Sequence, residues 1–104
     1  MLVQRKHTLA VEGVGEFTFA RRTPRLQILV ESTRDRMTGG PVLNVALHNT
    51  AQAVAELEVL TLAAPEGWDI EAIDPLDDAD FGRVLKVHGR LLEAEATFRS
   101  GATS

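Results

Sequence analysis

The stretch from residue 42 to residue 64 constrains the fold most. Apolar side chains occupy positions 42, 43, 45, 46, 47, 51, 53, 54, 55, 57, 59, 60, 62 and 63. The spacing predicts a helix that is apolar most of the way round, and such a helix has to be covered on more than one side. Asn44, His48, Asn49, Gln52 and Glu56 mark its polar stripe. Pro41 opens the segment and Pro65 cannot continue it. About 23 helical residues make a rod of roughly 35 Å. A chain of 104 residues has a radius of gyration near about 13 Å. Part of such a rod is therefore expected to lie against another subunit. A monomer in which the remaining elements cover both sides is the competing reading.

The chain is one domain by length. Aromatic residues make up only 5%, and Tyr is absent. The core must be built mostly of Leu, Val, Ala and Ile, which suits helix packing. The formal charge of −4 speaks against nucleic acid as the main partner, because phosphate neutralisation needs a basic surface. Zero Cys excludes disulfides and thiolate metal sites. Met1 to His7 turns basic too early for a signal peptide. No apolar run approaches the roughly 18 residues of a membrane span. The expected location is the cytoplasm.

Ahead of the long helix, Val3–Val11 and Glu16–Arg21 flank Glu12-Gly13-Val14-Gly15, a hairpin pattern with a loop of about 3–4 residues. Phe17 and Phe19 share one face, as do Val3, Leu9 and Val11. A lone hairpin is marginal in water, so helices or another subunit must pack on that face. Thr23-Pro24 starts a helix, with Thr as N-cap and Pro at the first position. Leu26, Leu29, Val30, Thr33 and Met37 give it an apolar side, and Gly39-Gly40 ends it. Arg21, Arg22, Arg25, Arg34 and Arg36 form the one basic concentration, read as a solvated face in preference to an anion site.

After the long helix comes Ala64-Pro65-Glu66-Gly67-Trp68-Asp69, turn chemistry followed by the only Trp. Trp68 is expected to plug the joint between helices, and a short turn over 69–73 is expected from Ile70 and Ile73. Asp74-Pro75 breaks that turn, and Asp77 or Asp78 caps the last helix, about 78–99. Phe81, Val84, Leu85, His88, Leu91, Leu92, Glu95 and Phe98 recur on it at helical spacing. Gly82, Gly89 and Ala96 repeat every seven residues on a flanking face, which suggests close approach of another backbone. Residues 100–104 read as a frayed polar tail.

Catalytic chemistry is not legible. Asp74, Asp77, Asp78 and Asp80 lack the Gly and alternating ligands of a calcium loop, and helix capping accounts for them. His7, His48 and His88 lie on different elements without an i+4 partner. His88, on the apolar face, reads as a satisfied core histidine. No Ser stands in a nucleophile turn, and Gly13 and Gly15 belong to a hairpin rather than a phosphate loop. No catalytic residue, metal ligand or cofactor is expected, and the chain is read as a non-enzyme.

The fold class expected is α+β and mostly helical: an N-terminal hairpin, about 2–21, packed on helices at about 24–38, 42–64 and 78–99. In this order, "GEFTFARRT", "LTLAAPEGWD", "IDPLDD" and "FGRVLKVHGRLLEAEATFRSG" resemble the small tail assembly chaperones of long-tailed bacteriophages and prophages. The resemblance covers most of residues 9–101. It implies a factor that acts in the bacterial host cytoplasm. Such a factor binds the long apolar tape measure protein, helps recruit tail tube protein, forms homo-oligomers and leaves the finished particle. Leu43, Leu47, Val54, Leu57 and Trp68 are the residues expected to bind protein. A structural tail or head-tail connector subunit retained in the virion is one alternative. A small regulator binding nucleic acid through the Arg cluster is another.

Overall fold

The computed structural model describes residues 6–40, 44–73 and 77–99. Leu43, the opening Pro41, Val3, the Asp74-Pro75 break and the 100–104 tail lie outside them. Among the described residues, β1 (Lys6–Val11), β2 (Gly15–Ala20) and β3 (Thr61–Ala63) form an antiparallel sheet in the order β1-β2-β3. Three α-helices accompany it: α1 (Pro24–Thr38), α2 (Val45–Leu60) and α3 (Asp78–Arg99). The fold is α+β and mostly helical.

Local chemistry explains most of the boundaries. Val14 N–H donates to the Val11 carbonyl at 3.0 Å across the hairpin loop. Gly13 takes φ of 78° there, the left-handed position that a Gly fills at no steric cost. In the hairpin, Leu9 opposes Phe17 and His7 opposes Phe19. Thr8 and Thr18 oppose each other on the other face, their hydroxyls 3.0 Å apart. Thr23 Oγ1 accepts from Leu26 N–H at 3.2 Å to start α1, and Gly39 ends it at φ 74°. Asn44 starts α2, its Oδ1 accepting from Leu47 N–H at 3.1 Å. Asp77 caps α3, with Oδ1 accepting from Ala79 N–H at 2.9 Å. Asp69 performs the same service for a single 3-10 turn over Ile70–Ala72.

Both ends of the long helix differ from expectation: it begins at Val45 behind the Asn44 cap, not at 42. The long helix stops at Leu60, not at 64, and Thr61–Ala63 becomes a strand on the second edge of β2. Phe19 opposes Thr61 and Thr18 opposes Ala63, with an irregularity between them. The three residues satisfy the otherwise open backbone of β2, and Thr61 is β-branched, which favours the extended form. A three-residue strand has no period that separates it from the end of an apolar helix. The rod that called for a second subunit is thus 16 residues long, and its C-terminal half is buried within its own chain.

One core joins all the layers. Val11, Phe17 and Phe19 from the hairpin meet Val30 of α1, Ala55, Leu57 and Leu60 of α2, and Val84, Val87 and Leu91 of α3. Phe17 and Phe19 stack with centroids 5.7 Å apart, and Trp68 meets Phe17 edge-on at 5.0 Å. Trp68 packs against this same cluster, which holds residues of α2 and α3 as well as the hairpin. Full burial of each Phe contributes about 2–3 kcal/mol. On α3 the inward ridge is Val84, Val87, Leu91 and Ala94, while Leu85 and Leu92 are exposed.

Candidate functional site

Two features have the makings of a site: a buried cluster of charges and an exposed apolar tip. The cluster is centred on Arg22, which lies in the link between β2 and α1. Its guanidinium donates through Nε and Nη2 to the two oxygens of Glu95 on α3, at 3.0 Å each. Nη1 donates to Glu56 Oε2 on α2 at 2.8 Å and also to Gln27 Oε1. The other Glu56 oxygen is hydrogen-bonded to His88 Nε2. Gln52 Nε2 donates to Glu56 at 3.3 Å, and Arg34 Nη1 donates to Gln52 at 2.7 Å. Both carboxylates are buried.

The electrostatics follow from these contacts. Burial pushes the Glu56 carboxyl up, but the hydrogen bonds from His88 and Arg22 outweigh it and bring its pKa down to about 2. Burial also works against the Arg22 cation. Its bonds to Glu95 and Glu56 overcome that, and its pKa lies above the ordinary arginine value. His7, whose ring lies 6.0 Å from that of Phe19, is pushed down by burial against the raising influence of Glu95. A planar guanidinium gripped by two carboxylates occupies the place where a cation would sit. Among the described residues no group of His, Asp and Glu is arranged to hold a metal ion. The cluster leaves neither carboxylate open to a substrate; it ties α2, α3 and the β2–α1 link together.

The basic concentration is correspondingly broken up. Arg22 is half-buried in its ion pairs, Arg34 is held by Gln52 and Asp35, and Arg36 donates to Thr33 Oγ1. Of the Arg face expected to be solvated, Arg25 and Arg36 are exposed, while Arg22 and Arg34 are drawn into side-chain contacts. His88 is the satisfied histidine expected, and Glu56 supplies the satisfaction. Nothing in the sequence paired Arg22 with Glu56 or Glu95. The one available signal was Glu95 falling in register with the apolar residues of α3.

The apolar tip lies where α1 gives way to α2. Val45 is 71% exposed and Leu47 is 53% exposed in the first turn of α2, and Met37 is exposed in the last turn of α1. Six residues separate the two helices, so these side chains share one end of the helix pair. Of the residues expected to bind protein, Leu47 is at this tip, and Leu43 lies outside the described residues. Val54 is half-buried within α2. Leu57 is a correction: it is 1% exposed and belongs to the core, because the sheet and α3 cover that side of α2. Trp68 is half-buried against Phe17, far along the chain from the tip. Of the four described residues, only Leu47 is exposed.

No family model, curated protein or solved structure matches the chain. Among the described residues no helix is long and apolar enough to cross a membrane.

Proposed function

We propose that the chain is a non-enzymatic binding protein of phage tail morphogenesis, a tail assembly chaperone acting in the bacterial cytoplasm. Its clients in this reading are the tape measure protein and the tail tube protein, and it self-associates. The observation that supports the reading is the apolar tip: Val45 and Leu47 stand in water at the start of a helix whose far half is buried. An apolar helical client offers side chains that cover such a tip, and exposed apolar surface on a small chain marks an interaction site. The buried cluster ties down the other end of the same helix pair, where both carboxylates are engaged by Arg22.

The test is co-expression with an aggregation-prone tape measure segment, reading the client in the soluble fraction. The wild-type chain is expected to keep it soluble, and Val45→Asp/Leu47→Asp to lose at least most of that effect. Because both residues are exposed, the double variant should melt within about 0.5 kcal/mol of the wild type. A variant that solubilises the client as well as the wild type does would overturn the role of the tip.

A further inference from the structure

The face of α3 that turns away from the core has a pattern of its own. Gly82, Leu85, Gly89, Leu92 and Ala96 follow one another at alternating steps of three and four residues, the spacing of a coiled-coil seam. All of them are exposed, and Leu85 is 53% and Leu92 43% exposed. A side chain built at Gly82 or Gly89 would meet nothing within 4 Å, so among the described residues no element lies over the seam there. A groove of about 450 Å³ opens beside it, walled by Ala10 and Glu12 of the hairpin and by Leu85, Gly89 and Glu93 of α3.

We infer that this face pairs with the same face of a second copy, helix against antiparallel helix. The charges beside the seam identify the occupant. Lys86 and Glu93, both exposed, stand seven residues apart at equivalent flanking positions. In an antiparallel pair that sets Gly89 beside Leu92 of the second copy, Leu85 falls beside Ala96. Lys86 then falls beside Glu93 of the second copy, and the two-fold repeats each contact. In the single chain Glu93 makes an ion pair with Arg90 of its own helix, long at 3.9 Å and with Glu93 exposed, so its carboxylate can also meet a cation from a second copy. The large residue of each layer meets a small one, so the helices approach closely with both Leu side chains buried. The pairing gives the self-association proposed above a surface on α3, away from the apolar tip, and it requires no client.

Sedimentation equilibrium of the isolated chain over a concentration series tests it. The wild-type chain, 11.3 kDa, is expected to move towards twice that mass as concentration rises. Gly89→Leu fills the open space above the helix and favours helix formation. It should remain a monomer while circular dichroism shows the fold intact. Lys86→Glu should weaken the dimer about tenfold, and Lys86→Glu/Glu93→Lys should restore it. A wild-type chain that stays monomeric throughout, or a Gly89→Leu chain that dimerises equally well, overturns the proposal. So does a charge pair whose double swap fails to recover what the single swap loses. Client solubilisation is read separately, so a dimer without client binding refutes only the function.

Discussion

At the scale of single residues, the glycines divide by what surrounds them. Gly15 follows the hairpin loop at φ 138°, and a Cβ there would lie 2.5 Å from Pro65 Cγ and 2.9 Å from Pro65 Cβ. Proline is a stiff ring and cannot swing aside, so the contact joins the hairpin to the Pro65 turn only while residue 15 has no side chain. Gly15→Ala is expected to cost about 2–4 kcal/mol, combining backbone strain with overpacking. Gly82 lies in regular helix with nothing within 4 Å. Gly82→Ala should instead stabilise the chain by about 1 kcal/mol, the difference in helix propensity. Urea unfolding of both variants at low concentration checks the pair of signs. A Gly15→Ala variant as stable as the wild type would show that the hairpin and the Pro65 turn are not locked together.

At the scale of elements, Arg22 does what no single apolar contact does, linking the β2–α1 connection to α2 through Glu56 and to α3 through Glu95. Arg22→Met keeps much of the side-chain bulk but leaves two buried carboxylates without their shared cation. The expected loss is about 3–5 kcal/mol. Arg22→Met/Glu95→Gln should recover part of it, because one stranded charge is gone. Thermal melts of the two variants measure this, and a double variant no more stable than the single one would count against the cluster as a charge-balanced tie. Sequence could not reveal the tie, for Arg22 is 73 residues from Glu95 and 34 from Glu56, and ion pairs leave no periodic trace. What it did reveal was local. Thr23-Pro24 and Gly39 bound α1 because caps are read from neighbours. The α3 period was visible too, yet it contained both the ridge of Val84 and Leu91 and the ridge of Leu85 and Leu92. Only the position of the sheet and α2 decides which ridge goes inside. The strand at Thr61–Ala63 was hidden for the same reason: its partner, β2, lies some forty residues earlier. The apolar tip was half legible, since Leu47 is apolar at the start of a helix, but the burial of Leu57 depends on what packs against it.

At the scale of the whole molecule, the cluster makes stability depend on acid in a definite direction. The Glu56 carboxyl titrates near 2 in the folded chain against an ordinary value of 4.5. The unfolded chain therefore binds the proton more readily between those values, and unfolding gains from every fall in pH across that window. The contribution is complete above about pH 5 and is lost as pH falls from there towards 2. At about 1.4 kcal/mol per pH unit it amounts to at most about 3 kcal/mol, shared with the partners that lower the pKa. His7 adds a shallower component at higher pH. Its folded pKa lies below 6.5, so the unfolded chain takes up that proton first and stability begins to slip as pH falls through 6.5. The Arg22 cation does not titrate anywhere in this range, and its attraction for Glu95 persists until the carboxylates themselves are protonated. Chemical denaturation midpoints measured from pH 7 to pH 2.5 should therefore show a gentle decline followed by a steep one below about pH 4.5. In Glu56→Gln the steep limb should flatten while the midpoint at pH 7 falls, because the neutral amide loses the charge that His88 and Arg22 hold. A steep limb unchanged in that variant would place the acid sensitivity on other carboxylates and detach it from the joint of α2, α3 and the hairpin link.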